Sequence, residues 1–392
     1  MNRRLSFTWT QACKLLLLVM AMTVLLFTTG CWDRMEVNDL AIVTTAGLDR
    51  KNDGKIELSL EIVIPKEGGG KTQTSNSNSK GNGSTLIWSA SGATAADAAS
   101  RVQHKLSRTV YWGQLEMLVV GEALSRSEFR EQLDYLVRDN NIRLRVEPFI
   151  CKGAARDFLA SASPLEQTRA DFLGGESRRL FGRPITLNRL VQHLDKISEE
   201  AIVPYADTTH DGKKGVPYVK GYAVFSRDRM AGVIQGKSFS GMKWILKQVK
   251  GEVDTVKLER PFSSLISLEV LSSSTRLVPK LGGETPHMNL LIEAEMSVVQ
   301  NTTRFKTSDP KFIHYVENAE ADNIRNKVET AIKQAQRLET DIFGFGEAIN
   351  RRNPREWLHL QGRWKQIYPS IQANVTVKVK IRQIGMNNEP VG

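Results

Sequence analysis

The feature that most constrains this chain is a cysteine that closely follows a short apolar run near the N-terminus. Basic residues precede the run from Leu15 to Phe27, and small residues lead from it to Gly30-Cys31. The run holds 13 residues, whereas a membrane-spanning helix needs roughly 20. A cleaved lipoprotein signal peptide over residues 1–30 is therefore predicted, with Cys31 as the diacylated residue, because Gly30-Cys31 matches the pattern of a bacterial lipobox. A plain signal peptide or an uncleaved helix is the alternative.

With the signal peptide cleaved and Cys31 acylated, the mature chain is predicted to contain no intramolecular disulfide. Of the three cysteines, Cys13 leaves with the signal, Cys31 is consumed by acylation, and only Cys151 remains. An exported chain without a disulfide must be held by its own apolar cores, and the mature length suffices for two or three of them. Losing three basic residues and no acid lowers the formal net charge from +11 to +8. A basic surface favours anionic lipid headgroups, although an ordinary basic surface fits equally well.

The N-terminal half alternates strands with helices. The residues from Ile56 to Ile64 alternate apolar and polar and predict a half-buried strand, with Glu57, Ser59 and Glu61 on its polar face. Residues 66–85 are rich in Gly, Ser and Asn and predict a mobile surface loop. The string GGGKT in this loop lacks the first glycine and the helix that a phosphate-binding loop requires. It is not interpreted as a nucleotide site.

Further along, a helix capped by Thr94 precedes a buried strand from Leu115 to Val120. The next strand, within residues 143–152, contains Pro148 and is predicted to lie at a sheet edge or to carry a bulge there. Residues 154–202 are predicted to be mainly helical. Residues 31–210 therefore form a predicted N-terminal α/β region, and whether it divides into two subdomains stays open.

The second region, predicted over residues 218–385, is of the α+β type. It begins with a hairpin turning at Arg227-Asp228, continues with two long strands, and carries a long amphipathic helix over about 310–339 that starts at Asp309-Pro310. The last strand alternates from Val375 to Arg382 and has a basic outer face. The whole chain is predicted to be α+β: a multi-domain mixed α/β protein, with mainly antiparallel or mixed sheets covered by helices.

The chemistry-bearing residues form no catalytic or metal-binding pattern. The six histidines are scattered and no cysteine cluster exists, so neither a metal nor a cofactor is predicted. The paired acids Glu199-Glu200 and Glu317 with Glu320 are interpreted as solvated surface carboxylates. Aromatic residues near the C-terminus are interpreted as core rather than as a nucleic-acid stacking surface. Gly344 and Gly346 are expected to serve a turn between two helices. No enzyme is predicted.

Several segments together resemble the Ger(x)C spore germination lipoproteins. The resemblance starts at Gly30-Cys31-Trp32-Asp33-Arg34 and continues through Arg138-Asp139-Asn140-Asn141-Ile142-Arg143 and Lys220-Gly221-Tyr222. It ends with the string DIFGFGEAINRRNPREW from Asp341 onward and Tyr368-Pro369. The resemblance covers almost the whole chain, except the loop 66–85.

This resemblance implies a noncatalytic, lipid-anchored subunit of a spore germinant receptor that is required for the germination response to nutrients. The implied partners are the membrane, through diacylated Cys31, and the A-type and B-type integral-membrane subunits, with no nucleic acid. The implied location is the outer face of the spore inner membrane. A stand-alone extracytoplasmic lipoprotein that binds a small ligand between its domains is the alternative. An envelope hydrolase ranks last, since no residue constellation supports it.

Overall fold

The computed structural model describes residues 9–27, 36–63, 85–127, 129–161, 166, 168–194, 200–209, 215–259, 264–282 and 286–383. The predicted mobile loop 66–85 lies outside them except for Thr85. The elements up to the predicted domain boundary are α1 Trp9–Phe27, β1 Leu40–Arg50, β2 Ile56–Val63, β3 Thr85–Gly92, α2 Ala95–His104, β4 Thr109–Tyr111, β5 Met117–Gly121, α3 Glu122–Ser125, α4 Phe129–Arg138, β6 Glu147–Cys151, α5 Ala155–Leu159, α6 Arg169–Phe181, α7 Leu187–Leu194 and β7 Glu200–Thr208.

The remaining elements confirm the hairpin, the two long strands and the long helix. They are β8 Pro217–Ser226, β9 Arg229–Gln235, α8 Gly236–Leu246, β10 Val253–Lys257, β11 Leu265–Lys280, β12 His287–Asn301, α9 Pro310–Arg337, α10 Phe345–Arg352, α11 Pro354–Leu360, α12 Trp364–Ile367 and β13 Gln372–Gln383. The predicted caps are also confirmed, since Thr94 accepts from the Asp97 N–H and Asp309 accepts from the Lys311 N–H.

Two mixed sheets carry these strands. The first has the order β3-β2-β1-β5-β6-β7-β8-β9, with β4 beside β1, and its central strands β1, β5, β6 and β7 run parallel. The second has the order β10-β11-β12-β13 and is antiparallel except for β12 and β13, which pair in parallel. The fold is therefore multi-domain α+β, as predicted. The boundaries 31–210 and 218–385 stay a prediction, and the first sheet continues across them because β8 pairs with β7.

Two apolar cores cover the faces of the first sheet. One face packs against α2, α4 and α7, through residues such as Val102, Leu133 and Leu190. The opposite face packs against α5, α6 and α8, and this core continues without a break into the second sheet and α9. The predicted stripe of α9 is buried there, with Ile324 and Val328 fully enclosed. A shared core therefore joins the two sheets.

Two predictions about strand environment are wrong. The strand β2 is buried on both faces, because α5 and α6 cover the side that carries Ser59 and Glu61, and both residues are 0% exposed. Pro148 lies neither at a sheet edge nor at a bulge, since β6 pairs with β5 in an unbroken register and also pairs with β7. Pairing with β7 starts only at Ile150, so the missing Pro148 N–H faces a stretch without ladder hydrogen bonds.

The buried acid of β2 is held by an ion pair with α6. The Arg169 Nη1 atom donates to Glu61 Oε1 at 2.7 Å and to Thr85 Oγ1 at 2.9 Å, and Arg169 Nη2 donates to the Ser161 carbonyl at 2.7 Å. Thr45 donates to the other Glu61 oxygen at 2.6 Å. The pair therefore connects three strands with the start of α6, and it replaces the water that a solvated glutamate would have.

We predict that Glu61→Gln destabilises the protein by about 3 kcal/mol, because it leaves the buried Arg169 guanidinium without a counterion. The free energy of unfolding from denaturant titration is the measurement. Asp134→Asn is the matched control, since its ion pair with Arg138 is exposed on both sides and should be worth less than about 1 kcal/mol. Equal losses in the two variants would contradict the structural role of the buried pair.

Candidate functional site

The predicted lipidation site, Cys31, lies in the segment 28–35, outside the described residues. The helix α1 overlaps the predicted apolar core of the signal, and its side chains from Lys14 to Thr23 are exposed. Within the described parts of the chain, no helix is long and apolar enough to cross a membrane. Diacylation of Cys31 stays a prediction.

A cavity of about 940 Å³ lies where the N-terminal helices meet the C-terminal part of the chain. Its walls come from the ends of α6 and α7, the start of β7, the end of α8, the loop between α9 and α10, and α10 to α12. These segments are distant in sequence, and the shared core brings them together. The cavity, rather than any sequence motif, is the candidate site among the described residues.

Asp341 forms part of the cavity floor. The residue is 8% exposed, and its carboxylate accepts hydrogen bonds from the Phe345 and Gly346 N–H groups at 2.8 and 2.7 Å and from Trp364 Nε1 at 3.1 Å. It thereby caps the N-terminus of α10. Burial raises the pKa of Asp341 to about 7, although the three hydrogen bonds favour its ionised form.

Glu200 lies beside Asp341 at the start of β7. It is half-buried, and its Oε2 atom is enclosed without a hydrogen-bond partner among the described residues. Burial, followed by the neighbouring Asp341 carboxyl group, raises the pKa of Glu200 to about 8, while the Asp341 N–H and Lys365 favour the ionised form. The prediction that Glu200 is a solvated surface acid is therefore wrong. Its predicted neighbour Glu199 lies outside the described residues.

The second predicted acid pair is also not solvated. Glu320 is 0% exposed, and burial together with Asp254 raises its pKa to about 8. Lys327 forms an ion pair with Asp254, which compensates part of the buried negative charge. Glu317 accepts a hydrogen bond from the Ile381 N–H at 2.9 Å. Both residues lie where α9 packs on the second sheet, outside the cavity lining.

Aromatic rings form one wall of the cavity. The Trp357 and Trp364 rings meet edge to face at 5.1 Å, and both line the cavity. Gly346 faces them within α10, because a Cβ atom there would lie 2.5 Å from Trp357 Cη2 and 3.0 Å from Trp364 Cε2. Gly344, at φ 74°, confirms the predicted turn before α10, whereas Gly346 serves ring packing and not the turn.

The interpretation of the C-terminal aromatic residues as core is confirmed for most of them. Phe343, Phe345, Trp364 and Tyr368 are each less than 9% exposed. The Tyr368 hydroxyl is enclosed close to the two carboxyl groups, whose charges, after burial itself, raise its pKa. Among the residues that the structure describes, no cluster of His, Cys, Asp and Glu could hold a metal ion. Cys151 is a buried free thiol, and burial raises its pKa.

Sequence reasoning missed Glu200 and Asp341 as a pair. They are 141 positions apart, so no local pattern brings them together. The signal that could have found Asp341 is its position just before Gly344-Phe345-Gly346, where a carboxylate can cap the following helix. For Glu200 the signal is weaker, because an acid at the start of an apolar strand is common at the surface.

Two families of known proteins match successive parts of the chain. A family described as "Spore germination protein N-terminal domain" matches residues 33–208. A second, described as "Spore germination B3/ GerAC like, C-terminal", matches residues 220–385. The two families follow one another along the chain and together cover most of it.

Individual relatives match over nearly their full lengths. Spore germination protein KC of Bacillus subtilis (strain 168) is 24% identical, over 96% of this chain and 98% of the relative. Spore germination protein GerQC of Bacillus cereus is 24% identical, over 92% of this chain and 96% of the relative. The solved structure "Crystal Structure of the GerBC protein" has a TM-score of 0.57 and 18% identity and covers 86% of this chain and 96% of that one. This last similarity concerns the fold.

We predict that stability decreases as the pH rises from about 5 to about 9. Asp341 and Glu200 have folded-state pKa values of about 7 and 8, above the ordinary values of 3.8 and 4.5. The folded state therefore binds more protons, and the stabilisation present at low pH is lost as the pH rises through those folded values. Denaturant titration across this range is the measurement. Glu200→Gln should reduce the decrease by on the order of 2 kcal/mol, whereas Glu131→Gln, on the exposed face of α4, should not change it.

We also predict that Gly346→Ala destabilises the protein by about 1–3 kcal/mol, because the added methyl group displaces the two tryptophan rings. The near-ultraviolet circular dichroism of tryptophan should change with it. Gly175→Ala is the matched control, since its Cβ atom in α6 meets no atom within 4 Å and alanine favours a helix by up to about 1 kcal/mol. An unchanged tryptophan spectrum in Gly346→Ala would count against this packing.

Proposed function

The chain belongs to the Ger(x)C family of spore germination proteins, and we propose that it is a noncatalytic, lipid-anchored subunit of a spore germinant receptor, required for the germination response to nutrients. The observation that carries this proposal is the match of both halves, in order, to spore germination families over residues 33–208 and 220–385. The family is not a known enzyme family.

The anchor in this proposal is diacylated Cys31. The N-terminal family match begins at residue 33, two positions after this cysteine, which supports a mature chain that starts at Cys31. Two acyl chains suffice for stable attachment to a bilayer. The protein would then stand on the outer face of the spore inner membrane and assemble there with A-type and B-type integral-membrane subunits.

The alternative function is a stand-alone extracytoplasmic lipoprotein that binds a small ligand. The cavity of about 940 Å³ supports this alternative, because its volume lies in the range of small-molecule sites. The two functions differ in one respect that can be measured: only a receptor subunit is required for germination.

We predict that spores without this protein release less dipicolinate in response to at least one class in a panel of amino acids and sugars. Complementation with the wild-type gene should restore the response, and Cys31→Ala should restore it weakly or not at all. Cell fractionation should find Cys31→Ala outside the membrane fraction. Cys13→Ala is the matched control, because this cysteine lies in the predicted signal peptide and should leave both readouts unchanged.

Retention of Cys31→Ala in the membrane fraction would contradict the anchor. An unchanged dipicolinate release from the deletion strain across the whole panel would contradict the receptor role and favour the ligand-binding alternative. The two readouts are independent, so each part of the proposal can fail by itself.

A further inference from the structure

The start of β1 is the place where the proposed anchor joins the folded chain. Glu36 lies five positions after Cys31, and β1 begins at Leu40. Five residues span at most about 18 Å, even when they are fully extended. With its acyl chains in the bilayer, Cys31 would therefore hold this end of the first sheet close to the lipid headgroups.

Several strands meet at this end of the sheet, which we call the base. The strands β4, β5 and β6 run parallel to β1 or to one another, so their starts lie toward the same edge. The strand β2 ends at the base and β3 begins there, because Val63 pairs with both Ile42 and Thr85. The helix α4 also ends at the base, since its Tyr135 ring contacts the ring of Trp112, directly after β4, at 6.5 Å.

The base carries most of the exposed large apolar side chains of this part of the molecule. Among the described residues between 36 and 235, these side chains are Val37, Leu86, Trp88, Val137 and Leu144. All except Trp88, which pairs with Leu60 in the middle of β2, lie at the base. A single exposed leucine is ordinary, but a concentration of apolar side chains at one end indicates a contact surface.

One of these side chains, Leu144, is presented by a fixed turn. The Val146 N–H donates to the Arg143 carbonyl at 3.1 Å and closes a turn with Leu144 and Arg145 at its centre. The start of α7 holds this turn in place, because the Asn188 N–H donates to the Leu144 carbonyl at 3.0 Å. Gly, Pro, Asn, Asp and Ser are the usual residues of turns. An exposed leucine at a fixed turn is therefore available to an apolar surface.

Positive charge surrounds this leucine. Arg143 and Arg145 are exposed, and neither forms an ion pair within 4 Å among the described residues. The base also carries exposed acids, so its charge is mixed and its positive part is concentrated at the turn; these acids are Glu36, Asp39 and Glu116. An apolar side chain between two arginines fits an anionic bilayer surface, because leucine enters the acyl boundary while the guanidinium groups stay among the phosphates.

We propose, on the basis of the proposed anchor at Cys31, that the base is a second membrane contact. Leu144 and Val137 touch the surface of an anionic bilayer, and Arg143 and Arg145 bind its phosphates. The occupant is lipid, because the anchor keeps the headgroups within reach of the base. An acyl anchor alone leaves the orientation of the folded chain free. The second contact fixes it, with the turn between β1 and β2 directed away from the membrane.

The test uses the mature, acylated protein in vesicles of phosphatidylcholine, with or without phosphatidylglycerol. Leu144→Cys carries a fluorescent thiol probe, which nitroxide-labelled lipids quench on contact. Cys151 is 0% exposed and stays unlabelled in the folded protein. Asn52→Cys, in the exposed turn between β1 and β2, is the matched site at the opposite end. Val137→Cys is a second reporter that leaves Leu144 in place.

We expect quenching at Leu144→Cys and Val137→Cys to be at least about twofold stronger than at Asn52→Cys in vesicles that contain phosphatidylglycerol. The difference should decrease without phosphatidylglycerol, and also at about 1 M salt, where the screening length is about 3 Å. With the Val137→Cys reporter, Arg143→Gln combined with Arg145→Gln should weaken the contact about fivefold for each charge removed. Lys51→Gln combined with Lys152→Gln is the matched control, because it removes the same charge from the opposite end of the sheet and should leave the quenching unchanged.

Flotation of the vesicles separates this proposal from the anchor. Protein that floats with the vesicles but is quenched equally at the base and at Asn52→Cys overturns the base contact and leaves the anchor intact. Protein that does not float contradicts the anchor, and the base contact with it. Unchanged quenching in the folded arginine variant, with far-ultraviolet circular dichroism as the check of folding, overturns the assignment of the contact to this turn.

Discussion

The crossing of α8 and α9 is the constraint on which the rest of the structure depends. Gly241 of α8 lies directly against the Lys327 carbonyl of α9, in a space that no Cβ atom could occupy without a shift of the backbone. The end of α9 is held in the same way, since Leu338 fills the space where a side chain of Gly232, on the edge strand β9, would be. Two glycines thus allow α9, which covers the second sheet, to dock on the first. The chain that leaves α9 must then pass the start of β7, and this path creates the cavity.

Buried carboxyl groups recur at the places where distant segments meet, and each is stabilised differently. Asp49 of β1 accepts from the Ala155 and Arg156 N–H groups at 2.6 and 2.9 Å and so caps α5. Asp341 caps α10 in a similar way. Glu61 instead has a cationic partner, Arg169. Helix N-termini and an arginine are alternative solutions to one problem, because an ionised carboxylate away from water requires either several N–H donors or a positive charge.

Local sequence patterns predicted the helices, strands and turns well, but they predicted the burial of individual side chains poorly. The caps at Thr94 and Asp309, the stripe on α9 and the hairpin turn at Arg227 depend on neighbours in sequence, so they could be predicted. The alternation of apolar and polar residues correctly predicted the strand β2. Helices from a later part of the chain cover the polar face of this strand, however, and Glu61 is therefore buried. The prediction that Glu200 and Glu320 are solvated was wrong for the same reason, because segments distant in sequence bury them. The cavity could not be predicted, because it is formed by segments between Phe181 and Trp364 that only the tertiary fold brings together. Cys31, the one site residue named from the sequence, lies outside the described residues.

Asp341 and Glu200 show how a fold can keep two neighbouring carboxyl groups away from water without a permanent cost. The burial that raises the pKa of Asp341 and Glu200 to about 7 and 8 allows both groups to be partly or largely protonated near neutral pH, so the floor carries little uncompensated charge. The same two carboxyl groups can therefore be neutral in the packed protein, which reconciles a buried acidic pair with a stable core.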